Sequence, residues 1–547
     1  MTDPSDAPAT GSDYVLSALE REGVSRLFGF VGEGNGHLID RTNDHPIEYT
    51  WARHEVVAVT MADGYARQSG DVGVCTVTHG PGATNAATGI AAADRDNVPL
   101  VVLVGDAGRP DAETALQYLD HRAFTDPISE AAMRVETPDD LPGTLSRAFD
   151  TARTRRGPVV VSLPTDVQEA PAPDRPYDPI DRPPQRVAPD EKRVAEAVGL
   201  LEDADTPAVL VGGGAMRSGA AGVVERLAEG IGAPIATTLF GAGLLPDSHP
   251  LVTGVAGTFM TPASDALLWD ADVVLAVGAR LSGKATRYGD LYADADVIQV
   301  DLDPGARSHD VDPAVRIVGD AAATLDALVD RVPSNPERGD RVRKRIRDAD
   351  HPSKIEFETD PDRIDPRELT VEVARRVPDD ALLAVDSGNN TGFPAVYHPL
   401  GEGGRWFVNG NFGTMGYALP AAVGVQIAAP DRTVVCYTGD GALLQVVQAI
   451  ETASRLETPV IVVVYNDESY GIIRHRQNET FDRETAATYE SPDLTAVAEG
   501  FGAQAATVRS VDDLDALDSF LEKDTETPLV LDARTIPDVA RPGFPPY

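Results

Sequence analysis

Nine short runs of apolar, mostly β-branched residues set the frame for this 547-residue chain. They are VGVCTVTHG (72–80), PLVVLVGDA (99–107), GPVVVSLP (157–164), PAVLVGGGA (207–215), DVVLAVGAR (272–280), DVIQVDLDP (296–304), ALLAVDSG (381–388), TVVCYTGDG (433–441) and PVIVVVYND (459–467). None alternates apolar with polar, and most run into glycine or aspartate. A strand with no polar face is buried on both sides, the condition of a parallel sheet covered by helices. Helical patterns separate the runs, so the fold class is α/β, with three domains that each hold a mainly parallel sheet flanked by helices.

Two stretches lack this alternation. Glu169–Asp190 is proline-rich, and Val332–Pro366 is charged and broken by prolines, with room for a short helix in its middle. They divide the chain into segments at 1–175, 190–335 and 365–547, each of ordinary domain size. No short-period repeat and no low-complexity segment is present.

Composition narrows the partners. No apolar run approaches the ~20 residues that span a bilayer. The acidic, polar start MTDPSDAPATGSD has neither the basic end nor the apolar centre of a secretion signal. A soluble, cytoplasmic protein without a membrane partner is expected. Cys75 and Cys436 each lie inside an apolar run and read as buried thiols, not a disulfide or a metal pair. The formal net charge is −40, and lysine occurs only at Lys192, Lys284, Lys344, Lys354 and Lys523. The acids are spread along the chain. That suits a halophilic surface, where salt screens repulsion, better than a docking patch. With no basic patch to neutralise phosphates, nucleic acid is excluded as a partner.

The strongest chemical signal is Gly439-Asp440-Gly441, followed one helix (about Leu443–Arg455) and one strand (Pro459–Tyr465) later by Asn466-Asp467. A strand–helix–strand crossover brings the carboxyl ends of two parallel strands to one sheet edge, where ligands of such sheets bind. Two carboxylates there repel unless a cation lies between them, and oxygen ligands on tight loops suit Mg²⁺ or Ca²⁺. Gly441 opens a helix, whose first amides favour an anion such as a phosphate. Taken alone, GDG also reads as a tight turn.

At these residues the chain resembles the thiamine diphosphate (ThDP) enzymes, whose cofactor motif is GDG followed by an Asn-Asn pair. The resemblance implies a metal held by Asp440, Asp467 and the carbonyl of Ser469. It implies cofactor contacts at Gly439, Gly441, Ala442, Asn466 and Tyr470. Asp467 departs from the family's asparagine but keeps an oxygen ligand. Arg53–Arg67 resembles the segment with the family's catalytic glutamate, here Glu55, which would hydrogen-bond the aminopyrimidine ring and relay a proton. Gly413–Val425 is similar to the segment that holds that ring, with the Gly413 carbonyl accepting from its amino group and Met415 wedged beneath it. His79–Gly105 and Thr237–Leu281 resemble acetolactate (acetohydroxyacid) synthase catalytic subunits. The implied fold is a pyrimidine-binding domain and a diphosphate-binding domain around a Rossmann-like central one.

The implied activity is decarboxylation of a 2-oxo acid, pyruvate, and carboligation to a second 2-oxo acid. It needs at least a homodimer or a homotetramer, because Glu55 and the GDG loop come from different subunits, and a regulatory small subunit is a possible partner. Other positions depart from the synthase pattern. Glu33, in FGFVGEGNG, stands where the synthases have glycine and simple decarboxylases an aspartate. Lys284 replaces an arginine that holds the acceptor carboxylate, keeping the charge but losing the fork. His475 and Arg476 replace a Gln-Trp pair. These differences leave open a non-ligating 2-oxo acid decarboxylase, a carboligase with another acceptor, or a non-catalytic subunit. Gln117 matches a glutamine near the reacting carbon. His79 and His121 read equally as proton relays or packing residues. The glycines of VLVGGGA and Arg280 match the part of the synthases that binds FAD, so FAD is a possible further cofactor.

Overall fold

The computed structural model describes residues 9–108, 114–180, 186–306, 308–349, 355–523 and 525–543. Lys354 and part of each proline-rich connection lie outside the described residues. The middle of the second connection is a helix, Pro336–Asp348, opened by the Asn335 side chain, which accepts from the Arg338 amide.

All nine apolar runs contain strands, and nine further strands join them to make three parallel six-stranded sheets. The N-terminal sheet holds β1 (Arg26–Gly29), β2 (Glu48–Trp51), β3 (Gly73–Val77), β4 (Leu100–Asp106), β5 (Ala131–Arg134) and β6 (Pro158–Pro164) in the order 2-1-3-4-6-5. The central sheet holds β7 (Pro207–Val211), β8 (Ile235–Thr237), β9 (Val252–Val255), β10 (Val273–Val277), β11 (Asp296–Asp301) and β12 (Val315–Val318) in the order 12-11-10-7-8-9. The C-terminal sheet holds β13 (Leu382–Val385), β14 (Arg405–Val408), β15 (Val434–Gly439), β16 (Ile461–Asn466), β17 (Gln504–Val508) and β18 (Leu529–Arg534) in the order 14-13-15-16-18-17. Numbered from their own first strands, the N- and C-terminal sheets share one order. The chain thus repeats a topology without repeating a sequence.

The two outer domains also share a core. One apolar cluster runs from Phe28, Cys75 and Val102 of the first to Ala384, Cys436 and Val464 of the third. At its centre the helix Glu55–Ser69 lies against the helix Ala418–Ala428. Two glycines permit this contact: a Cβ on Gly64 would stand 2.2 Å from the Ala421 carbonyl oxygen, and one on Gly424 2.0 Å from that of Met61.

Two boundaries differ from the sequence reading. The expected helix Leu443–Arg455 is two helices, Asp440–Gln445 and Ala449–Arg455. Val446 leaves helical geometry at φ −131° and packs against Gly416. The expected strand start at Pro459 moves to Ile461, because the Val460 amide donates back to the Thr458 carbonyl at 2.8 Å and not into the ladder. Both cysteines are buried and free. Among the described residues no helix is long and apolar enough to cross a membrane.

Candidate functional site

In the C-terminal sheet the strand order reverses between β13 and β15, and such a switch point opens a crevice at the carboxyl ends of the strands. A cavity of about 530 Å³ lies there. Its floor is made by the segments that follow three strands: Ser387–Thr391 after β13, Gly439–Ala442 after β15, and Asp467–Ile473 after β16. Gly413 and Met415 line it from the turn after β14, and Thr258, Phe259 and Lys284 from the central domain.

β15 and β16 pair with Gly439 opposite Tyr465, so Asp440 and Asp467 leave the sheet side by side. Asp440 is buried, and its Oδ2 has no hydrogen-bond partner. Burial and then the charge of Asp467 push its carboxyl up to about 7. Burial also pushes Asp467 up to about 6, against the opposing pull of Ser469. Ser469 donates to Asp467 Oδ1 from both its amide and its hydroxyl, each at 3.0 Å. A crowded pair of carboxylates facing a cavity, one of them with an unpartnered buried oxygen, is the donor set of a hard divalent cation. These residues therefore fit the metal and the diphosphate that it would hold.

Gly413, Met415, Gly439, Asp440, Gly441, Ala442, Asp467, Ser469, Tyr470 and Lys284 thus meet around one cavity. Gly413 adopts φ +75°, which a side chain would strain. Lys284 is exposed, and its ammonium has no carboxylate partner among the described residues. Asn466 is brought close but not to the wall. It is fully buried behind the Asp467–Ile473 segment and donates to Asp532 Oδ1 at 2.6 Å.

The remaining candidates gather elsewhere. Glu55, Gln117 and Glu33 do not line this cavity, which has no wall from the N-terminal domain among the described residues. Glu55 opens the helix Glu55–Ser69, 5% exposed, and accepts from Asn85 Nδ2 at 3.1 Å. Glu33 is exposed in the segment after β1. His79 follows β3 in the neighbouring crevice, its Nδ1 buried without a partner. His121 Nε2 accepts from the Gly80 amide at 3.1 Å, and burial lowers its pKa. Exposed Gln117 packs its backbone carbonyl against Gly80 and holds φ +66°. The two outer domains thus gather these candidates after corresponding strands of the same topology. His475 and Arg476 lie half-buried on the helix Gly471–Phe481.

Some wall residues were not singled out in the sequence. Ser387–Thr391 carried a local signal, since DSGNN follows an apolar run at the ligand-binding end of the sheet. Arg541, buried with its guanidinium 4.9 Å from the Phe259 ring centroid, carried none, because only the path of the C-terminal segment brings it there.

A second cleft of about 510 Å³ opens at the switch point of the central sheet, between β7 and β10. Gly214 and Gly278 line it, with Arg155, Arg156, Arg217, Arg280 and Asp301. Arg280 donates to the Arg95 carbonyl at 2.9 Å and to Asn97 Oδ1.

Known families match all three domains. Residues 9–133 match the thiamine pyrophosphate enzyme N-terminal TPP binding domain, 194–328 the central domain and 386–533 the C-terminal TPP binding domain. The acetolactate synthase isozyme 3 large subunit of Escherichia coli (strain K12) is 33% identical, over 90% of this chain and 88% of its own. The probable acetolactate synthase large subunit of Methanocaldococcus jannaschii is 31% identical, over 98% of this chain and 93% of its own. An acetolactate synthase of Arthrospira platensis is 33% identical, over 91% and 90%.

Proposed function

This chain belongs to the acetolactate synthase large-subunit family of thiamine pyrophosphate enzymes, and from that premise we propose that it decarboxylates pyruvate and joins the two-carbon unit to a second 2-oxo acid, using ThDP and Mg²⁺. The observation that carries the proposal is the cavity at the C-terminal switch point, with the unsatisfied Asp440 and its neighbour Asp467 in its floor. The domain limits that go with it are 1–175, 190–335 and 365–547.

When bound, ThDP supplies the electron sink for loss of CO₂ from a 2-oxo acid. The protein's part is binding, orientation and proton handling. In this reading Asp440, Asp467 and the Ser469 carbonyl hold Mg²⁺. Gly439, Gly441, Ala442 and Tyr470 receive the diphosphate, and Asn466 backs the metal loop through Asp532. The Gly413 carbonyl and Met415 orient the pyrimidine end. Lys284 offers its free ammonium to the acceptor carboxylate across the cavity. Glu55 moves the proton at the pyrimidine, and Glu33 and Gln117 stand near the reacting carbon.

In this reading these last three come from a second copy of the chain, supported by the cavity's having no lining residue of the N-terminal domain among the described residues. The exposed large apolar side chains support this arrangement. Val31, Leu116 and Tyr118 flank Glu33 and Gln117, Tyr470 and Ile473 line the cavity, and Phe412 and Leu444 adjoin lining residues in sequence. A homodimer, or a homotetramer built from it, would bury both sets.

The same reading assigns FAD to the central cleft, supported by its four glycines and four arginines. The names of the relatives, which are large subunits, support a regulatory small subunit as a further partner. The net charge of −40 supports a surface suited to high salt.

The test is product analysis with pyruvate, Mg²⁺ and ThDP in high salt. A hydroxy-keto acid is the expected product. Free aldehyde alone would replace carboligation with simple decarboxylation, and no turnover despite bound ThDP would exclude pyruvate as donor.

A further inference from the structure

We propose that two buried carboxylates of the N-terminal domain, Asp96 and Asp63, joined by Arg67, position the cofactor turn Asn409–Tyr417 of the same chain. The proposal rests on the reading above that this turn, through Gly413 and Met415, holds the pyrimidine end of ThDP.

Asp96 ends the helix Pro81–Asp96 and is 5% exposed. Its Oδ2 accepts from Asn409 Nδ2 at 2.9 Å and from Arg67 Nη2 at 3.0 Å. Its Oδ1 accepts from Asn411 Nδ2 at 2.8 Å and from the Asn411 amide at 3.2 Å. Asn409, wholly buried, passes the constraint on: its Oδ1 accepts from the amides of Gly413 at 2.9 Å and Thr414 at 3.2 Å. The far end of the turn is fixed by Asp63, whose Oδ1 accepts from the Tyr417 hydroxyl at 2.7 Å. Arg67 Nε donates to Asp63 Oδ1 at 2.7 Å, and Arg67 Nη1 to the Val408 carbonyl at 3.2 Å, where β14 enters the turn. From the central domain, Arg280 holds the residues on either side of Asp96.

Between these anchors the turn contains Gly413 at φ +75° and Gly416 at φ +79°, the most pliable residues available. The Asn409 side chain holds the amides of Gly413 and Thr414 from within the turn. Two carboxylates and one guanidinium leave a buried net negative charge, and such clusters stabilise less than apolar packing of the same volume. Their effect is therefore geometric. Asp63 and Arg67 lie in the same ADGYAR stretch that follows Glu55, so one helix would serve two sites, the partner copy's through Glu55 at its start and its own chain's through the clamp farther along.

The experiment compares full-length wild type with Asp96→Asn, in high salt with Mg²⁺. Four quantities are read: ThDP affinity by calorimetric titration, the near-ultraviolet circular dichroism of the bound cofactor's pyrimidine, pyruvate turnover, and thermal melting. We expect the dissociation constant of ThDP to change by less than about threefold, because the metal end is untouched. We expect kcat to fall roughly 10- to 100-fold, the effect of a misplacement on the order of 1 Å, and the pyrimidine signal to weaken with it. A lower melting temperature with wild-type kcat and wild-type dichroism would overturn the proposal, since a merely structural role predicts that pattern. If Asp96→Asn fails to fold, Asn409→Ala gives the same test, because it removes the acceptor of the Gly413 and Thr414 amides and leaves Asp96, Arg67 and Asp63 paired. A wild type that binds no ThDP would bring down the reading of the site, and this proposal with it. A wild type that binds and turns over, beside variants indistinguishable from it, would bring down this proposal alone.

Discussion

Asp440 and Asp467 each stand one residue beyond the carboxyl end of one of two hydrogen-bonded strands, β15 and β16, and after burial it is the charge of Asp467 that does most to raise the Asp440 carboxyl to about 7. The pair is costly in the metal-free protein and favourable around a cation. Asp440→Ala should lower the affinity for Mg²⁺ and ThDP by ~100-fold, the loss of a charge-assisted ligand worth about 3 kcal/mol. Asp467→Asn keeps an oxygen ligand and relieves the repulsion, so affinity should stay within about tenfold of wild type. Calorimetric titration of both variants checks the contrast.

Removal of the metal should release ThDP. Prolonged treatment with a chelator is expected to abolish turnover, and Mg²⁺ with ThDP to restore it. Ligand at ~100 times its dissociation constant stabilises the folded state by about 2.7 kcal/mol, so the melting temperature should rise on reconstitution. Melting curves with and without both cofactors measure this, and an unchanged temperature would argue against the site.

Glu55→Gln should leave ThDP affinity nearly unchanged and lower kcat by ~10² to 10⁴, the range for loss of a positioned proton donor or acceptor. Mixing it with Asp440→Ala after dissociation and reassociation should recover roughly a quarter of wild-type activity if a two-fold dimer shares its sites between subunits. No recovery would place both residues in one subunit.

Lys284→Ala should raise the KM for the acceptor 2-oxo acid by about tenfold while decarboxylation of the donor continues, as expected when one exposed charge–charge contact is removed. Lys284→Arg should restore the acceptor KM. Steady-state kinetics with the acceptor varied separates these outcomes.

His398 provides a pH test away from the site. It is buried, with Nδ1 2.7 Å from the Tyr437 hydroxyl, and burial pushes it down to about 3. The unfolded chain therefore takes up this proton first as pH falls. The stability due to neutral His398 is complete above about 6.5 and is lost between there and about 3, by about 1.4 kcal/mol per unit. His398→Gln keeps an acceptor for Tyr437 and cannot titrate. Its stability relative to wild type should rise as pH falls from 7 to 4, read by denaturant unfolding.

The sequence by itself determined the class of the fold and the floor of the site. Strands buried on both faces must be apolar throughout, so runs such as Val434–Gly439 and Ile461–Asn466 announced themselves. The crossover rule for parallel strands then places Asp440 and Asp467 together at one sheet edge. Edge strands such as β5 and β17 were not legible, because their residues are only partly buried and carry no continuous apolar run. Tertiary structure alone decided the rest. It separated Glu55, Gln117 and Glu33 from the cavity, brought Lys284 and Arg541 to its wall, and set Asp96 against Asn409, 313 residues away. Local pattern reports which face of an element is buried. It does not report which distant element does the burying, and that second fact makes half-sites into a site.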